Sequence, residues 1–269
     1  PLPMPDPIVD CCIECGFCEV NCLTCGFALS SRQRIVIQRE MTRLRNTGED
    51  PRRLQQLEKE YKYWGNATCA GDGLCSTSCP MHINTGELTH VLRQKELPEG
   101  SLGYKAGDLA AKHLAGIKAT LRPMLTLADT AHAVLGTKAM SAITRGMHQA
   151  LKVPQWTPAM PKAFHVDKGL EASQAKGSDK VVYFPSCINQ TMGLPRKTPE
   201  KMALVNKMVS LLNKAGYEII FPKGMEHMCC GTIWESKGMM DIADRKSREL
   251  EAALWEASEH GKYPVLCDQ

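Results

Sequence analysis

Aromatic residues are scarce: five Phe, six Tyr and four Trp make up 6% of 269 residues. A nucleic-acid platform interleaves aromatics with arginine-rich arms. No such stretch is present, and nucleic acid is excluded as a partner. Long apolar runs are missing too, since the most apolar stretches stop short of the roughly 18 residues of a membrane span. The opening P-L-P-M-P-D-P has no basic-then-apolar leader, and its start at Pro1 without Met reads as a piece of a longer protein. No G-x-G-x-x-G follows a strand, so the chain carries no flavin or nicotinamide fingerprint. Charge of one sign is absent as well: 33 basic against 29 acidic residues leave a formal +4.

Cysteine, by contrast, is abundant: there are 13. The residues fall in tight clusters, which reads as metal binding in a reducing, cytoplasmic compartment and not as a disulfide framework. Cys12, Cys15, Cys18 and Cys22 give C-x2-C-x2-C-x3-C, the run that holds an iron–sulfur cubane. The fourth Cys of such a run serves the other cluster when two are present. A second set therefore has to exist, and Cys69, Cys75 and Cys79-Pro80 supply it. Aligned to the ideal run, this set has Asp72 where the second Cys belongs.

With fourth ligands exchanged, cluster one takes Cys12, Cys15, Cys18 and Cys79. Cluster two takes Cys69, Cys75 and Cys22, with Asp72 or nothing at its last corner. A carboxylate is a harder and weaker iron ligand than a thiolate. The first cluster is thus expected to be 4Fe-4S and the second 4Fe-4S or 3Fe-4S. Cys11 and Cys25 are spare thiols close enough in sequence to fill the gap. Zinc is the competing occupant, because C-x2-C pairs also bind it in structural interaction domains.

Around these motifs the pattern is helical. Residues 1–10 read as an extended, Pro-rich entry. A helix follows from the Ser30 N-cap, Gly48-Glu49-Asp50-Pro51 breaks it, and a second helix covers 52–64. The arginines at 32, 34, 39, 43, 45, 52 and 53 read as a solvated basic face, as a docking face for an acidic partner, or as compensation for anionic clusters. Asn84 caps a helix with Glu87 completing the box, while His82 reads as a cap or surface residue. Residues 103–151 stay helical, with Pro123 at the head of a new helix. Mixed Lys and Leu there give a further reading as a peripheral membrane contact. Residues 152–178, with Pro154, Pro158, Pro161 and Gly177, read as a connector.

The grammar changes at Lys180. Strands at 181–184, 217–221 and 264–266 alternate with helices at 199–215 and from about 233 or 238 to 259. The first helix has Met202, Leu204, Val205, Met208, Leu211 and Leu212 as its apolar set. This order argues a parallel, doubly wound sheet, whose C-terminal strand ends share one ligand-binding edge. Cys187, Cys229, Cys230 and Cys267 all fall just beyond those ends. They read as a metal or cluster site, a redox dithiol, or isolated buried cysteines. The expected fold class is α + α/β: an all-helical two-cluster ferredoxin-like domain over 1–102, a helical hairpin and connector over 103–178, and an incomplete cysteine-rich α/β domain over 179–269.

The segments C-I-E-C-G-F-C-E, R-Q-R-I-V, T-C-A-G-D-G-L-C, C-P-M-H-I-N-T-G-E-L, F-P-S-C-I-N-Q-T-M-G and Cys229-Cys230-Gly231 carry a resemblance. The chain resembles the iron–sulfur C-terminal region of bacterial FAD-linked D-lactate or glycolate dehydrogenases. Its cysteine-rich C-C-G part is similar to that of heterodisulfide reductase and related electron-transfer subunits. Leu23 departs from the family's Pro after the first run, and the last Cys of the family's C-x2-C would stand at position 270, so the sheet and its ligands are expected to continue past Gln269. The resemblance implies an FAD domain upstream that oxidises a D-2-hydroxy acid. Its electrons pass through the clusters to a quinone or cytochrome. It also admits a thiol–disulfide module as the alternative.

Overall fold

The computed structural model describes residues 3–151, 153, 155–165 and 179–268. Its chain divides into two compact units, Pro1–Gly107 with Thr232–Ala243, and Asp108–Gly231 with Asp244–Gln269. This grouping places 108–151 with the sheet and 232–243 with the first cysteine motifs. The connector residues 152, 154 and 166–178, with Pro154 and Gly177, lie outside the described residues.

In the first unit, α1 (Ser31–Thr47) starts where the Ser30 hydroxyl accepts from the Gln33 N–H and the Gln33 side chain accepts from Ser30 N–H. Such a reciprocal box satisfies two N–H groups the helix cannot bond internally. Gly48, at φ 70°, closes the helix by donating to the Leu44 carbonyl. After α2 (Pro51–Tyr61) the chain widens into a π-turn, Lys62–Ala67. Gly65 is required there, because a Cβ would come within 2.5 Å of the Tyr61 ring. Then α3 (Thr85–Glu96) begins as Asn84 Oδ1 accepts from Gly86 N–H, while the Asn84 amide donates to Glu87. The core of this unit gathers Val9, Ile35, Ile83 and Leu88, with Cys12 and Cys79 packed against it. Two chain segments 67 residues apart thus meet on one apolar cluster. The entry is not extended throughout: Pro7–Val9 forms a 3-10 turn, capped by Asp6.

The sequence is corrected on its arginines. Arg34 and Arg39 are 1% and 4% exposed, so they belong to the interior and not to a solvated face. The rest of the unit comprises α4 (Leu102–Lys112), which runs on into the second unit, and α7 (Thr232–Glu235).

In the second unit, α5 (Leu114–Leu151) contains Pro123 in its interior instead of at a helix start, and a non-helical Gly136 (φ 75°) divides it. A short antiparallel pair, β1 (Pro161–Ala163) and β3 (Met192–Pro195), was not expected from the sequence; it joins the connector to the segment after Cys187. The main sheet has the order β4 (Glu218–Ile220), β2 (Lys180–Phe184), β5 (Val265–Cys267), all parallel. Every residue of β2 from Val181 to Phe184 is buried, as expected of a parallel strand covered on both faces. Between β2 and β4 lies α6 (Leu204–Lys214), and α8 (Met240–Ala257) precedes β5. The helix expected at 199–215 is shorter, and its buried face is Val205, Val209 and Leu212. Leu204 and Leu211 are exposed, at 43% and 58%. Val205, Val209 and Leu212 pack on Val181, Tyr183, Ile219 and Phe164.

Candidate functional site

The two cysteine motifs fold alike. Gly16 (φ 85°, ψ −3°) leads into the 3-10 turn Phe17–Glu19, and Gly73 (φ 70°, ψ −2°) leads into Leu74–Ser76. In both, left-handed glycine aims the next cysteine, Cys18 or Cys75, back under the loop. The turns repeat downstream: Cys22 N–H donates to the Glu19 carbonyl at 3.2 Å, and Cys79 N–H to Ser76 at 3.2 Å. Structural equivalence then pairs Cys12 with Cys69, Cys15 with Asp72, Cys18 with Cys75 and Cys22 with Cys79. The Asn21 amide ties the loops by donating to Thr77 and Ser78 at 2.9 and 2.6 Å.

Two cavities lie between these loops. Cys12, Cys15, Cys18 and Cys79 line one, which holds about 360 Å³ of empty space, part of it open to solvent. Cys22, Cys69, Cys75 and Asp72 line the other, with about 290 Å³. Each loop therefore lends its last cysteine to the cavity of the other. Cys11 and Cys25 are exposed and line neither. Asp72 is exposed, and its carboxylate accepts from Leu74 N–H at 3.1 Å, which fixes the loop before Cys75.

The thiols differ electrostatically. Burial pushes Cys18 up to about 11, assisted by neighbouring Cys75, Cys79 and Cys12. Burial also pushes Cys22 up, but hydrogen bonds from Thr24 and Ser31 outweigh it and bring the thiol down to about 7. Ligation at the first cavity thus has to displace a tightly held proton.

Three cations line the backs of these loops, Arg34 and Arg39 buried and Arg93 half-buried. Arg39 donates to the carbonyls of Asp10 and Cys12 at 3.2 and 2.9 Å and to the Glu14 carboxylate at 2.6 Å. Arg34 donates to Gly65 O at 2.6 Å, to the Thr24 and Thr68 hydroxyls at 3.1 Å each, and to Cys22 Sγ at 3.8 Å. Arg93 holds the carbonyls of Asn66 and Cys69 at 2.6 and 2.7 Å. Arg34 and Arg39 belong to the basic run that the sequence offers as one source of compensation for anionic clusters, while Arg93 lies outside that run and was missed.

The fit to an iron–sulfur cluster rests on these observations. Among the described residues no group of three or more His, Cys, Asp or Glu is set to hold a single metal ion. A cluster asks for something else, since each thiolate binds its own iron, and four ligands around a cavity supply that. Among the described residues, Arg34's partners are uncharged oxygens apart from one cysteine sulfur. A buried cation is costly without an anion beside it, and thiolates carry that charge. The residues fit.

In the second unit, Cys187 and Cys229 approach to 3.7 Å between sulfurs. Two thiolates about 2.3 Å from one tetrahedral ion stand about 3.8 Å apart, whereas a disulfide needs about 2.05 Å. The hydrogen bond between the two thiols holds Cys187 down at about 7 and pushes Cys229 up. Cys230 bonds to Cys229, and exposed Cys267 lies within electrostatic range of Cys230. Asp268, missed in the sequence, accepts from Ser186 N–H at 2.6 Å and Tyr183 OH at 2.8 Å, locking the ends of β2 and β5 together. Lys118 of α5 is 7% exposed and donates to Gln190 and to the Met225 carbonyl. Burial lowers the pKa of its ammonium group, and the nearby Cys187 and Cys229 oppose that.

Among the described residues no helix is long and apolar enough to cross a membrane. No protein-family model, no curated protein and no solved structure matches the chain.

Proposed function

We propose that this chain is an electron-transfer module built on two iron–sulfur clusters. The observation that carries this reading is the exchange of cysteines between the two loops, which gives each cavity three or four sulfurs. Cys12, Cys15, Cys18 and Cys79 hold the first cluster. Cys22, Cys69 and Cys75 hold the second, with Asp72 at its remaining corner. When bound, such clusters supply one-electron storage at potentials set by charge, hydrogen bonds and exposure. Arg39 and Arg93 fix the loop carbonyls around the ligands, and Cys18 stands within electrostatic range of both Cys75 and Cys79. The two centres are thereby adjacent, as stepwise electron passage requires.

In this reading the electrons come from an FAD-bearing domain or subunit that oxidises a D-2-hydroxy acid such as D-lactate. They leave to a quinone or cytochrome, in the cytoplasm or at the inner face of its membrane. Hydride chemistry belongs to the flavin, so this chain conducts without oxidising the substrate. Apolar side chains interleaved with the ligands stay exposed: Ile13 66%, Phe17 63%, Val20 81%, Leu23 64% and Leu74 46%. Exposed apolar surface beside redox ligands suits a face that a partner covers.

Anaerobic iron and labile-sulfide analysis with EPR tests the reading. Two clusters per chain are expected; zinc without labile sulfide overturns it. The 3.7 Å approach of Cys187 and Cys229 favours a second reading for the α/β part, as a thiol–disulfide or metal site. Thiol titration with and without added zinc decides between those two.

A further inference from the structure

Arg34 and Arg39 sit on the same helix, both buried, one behind each cluster loop. Their charges meet different fates. Arg39 is paired with the Glu14 carboxylate at 2.6 Å and donates otherwise to backbone carbonyls, so its charge is cancelled locally. Arg34 is fixed by Gly65, Thr24 and Thr68, none of them charged, and its free Nη1 points to Cys22 Sγ at 3.8 Å. Cys22 lines the second cavity. The ligand charge at the two cavities is otherwise matched, because Asp72 replaces the thiolate of Cys15 with another monoanion.

A fixed positive charge and an N–H···S hydrogen bond both stabilise the more negative, reduced state of a thiolate-ligated centre. We propose that Arg34 sets the order of the two centres, holding the second at the higher potential so that an electron entering the module comes to rest there. This inference rests on the cluster reading above. Each step moves one electron from the reduced donor into the first or second centre, with no bond broken. Arg34 acts through Cys22 and is a positioning residue.

The test uses the full chain, loaded anaerobically with iron and sulfide, titrated with dithionite and followed by EPR. The Asp72→Cys protein identifies which signal belongs to the second site. In the unsubstituted chain that signal is expected to develop first on reduction. In Arg34→Gln its midpoint falls relative to the first-site signal, which serves as the internal reference. Arg34→Lys keeps the charge without the fork and restores part of the gap. A gap that stays the same in Arg34→Gln overturns the inference. Should Arg34→Gln fail to load, Arg34→Lys decides: a lowered second midpoint supports the inference and an unmoved one overturns it. A chain that takes up no labile sulfide overturns instead the cluster reading beneath it.

Discussion

The two cavities formed by the cysteine loops of the first unit share one backbone design and differ in three places. Where the first has Cys15, the second has Asp72; where the first is backed by an ion-paired arginine, the second is backed by one that, among the described residues, meets a cysteine sulfur and no carboxylate. Where Cys18 is held protonated by burial, Cys22 is eased toward thiolate by its neighbours. Duplication of a loop fixes geometry, and side chains behind it then set the chemistry separately at each copy. The sheet unit follows the same logic with other parts, placing Lys118 behind Cys187 and Cys229.

The largest effect expected from breaking this comparison is loss of a whole centre. Cys22→Ala should remove the second-site EPR signal and about half of the bound iron, while Cys79→Ala should remove the first. If each substitution instead empties the cavity nearest in sequence, the exchange of ligands is wrong. Next comes Arg39→Met, which leaves the half-exposed Glu14 carboxylate and the carbonyls of Val9, Asp10 and Cys12 without their donor. Breaking a fully buried pair costs about 3–5 kcal/mol; Glu14 keeps a third of its side chain exposed, so the loss is smaller and thermal unfolding should fall by several degrees even in the metal-free chain. An unchanged melting temperature would show that Arg39 is dispensable to the loop. Asp72→Cys should convert the second centre to four-thiolate ligation and change its EPR spectrum, leaving the first untouched; an identical spectrum removes Asp72 from that corner.

Cys187 gives a smaller, pH-dependent effect. Its pKa is depressed from 9.0 to about 7 in the fold, so its thiolate favours the folded state. That contribution is full above pH 9 and is lost as pH falls through about 7. Alkylation of Cys187 in the metal-free protein should therefore titrate near pH 7, and Cys229→Ala should move the midpoint back toward 9. A midpoint unaffected by Cys229→Ala would mean that the 3.7 Å contact does not govern it. The smallest effect is Ser30→Ala, expected to cost about 1 kcal/mol through the lost N-cap, read by denaturant melting.

Much of this was legible in the residues. Spacing alone put Cys79 with the first run and Cys22 with the second, because ligand exchange is built into such motifs. Ser30 and Asn84 marked helix starts by capping chemistry that acts within a few residues. Compensation of anionic clusters was one reading of the basic run, but which of its arginines turn inward was not legible. A run of basic residues reads as solvated unless the carbonyls and sulfur that receive it are known, and those come from residues 10–34 positions away. Pro123 misled for a related reason: it is exposed on α5, where a long helix tolerates the missing N–H that would break a shorter one. Strands of three or four residues, β1 and β3, carry too few positions for any alternation to register.

The crossed cysteines also impose a schedule on synthesis. Cys18 leaves the ribosome 61 residues before Cys79, roughly 3–12 s at ordinary elongation rates. During that interval three thiols of the first cavity are present without their fourth, and for most of it Cys22 waits for Cys69 and Cys75. A nascent chain interrupted there would present an open, metal-hungry loop, and the two cavities would become fillable within moments of each other once Cys79 emerges.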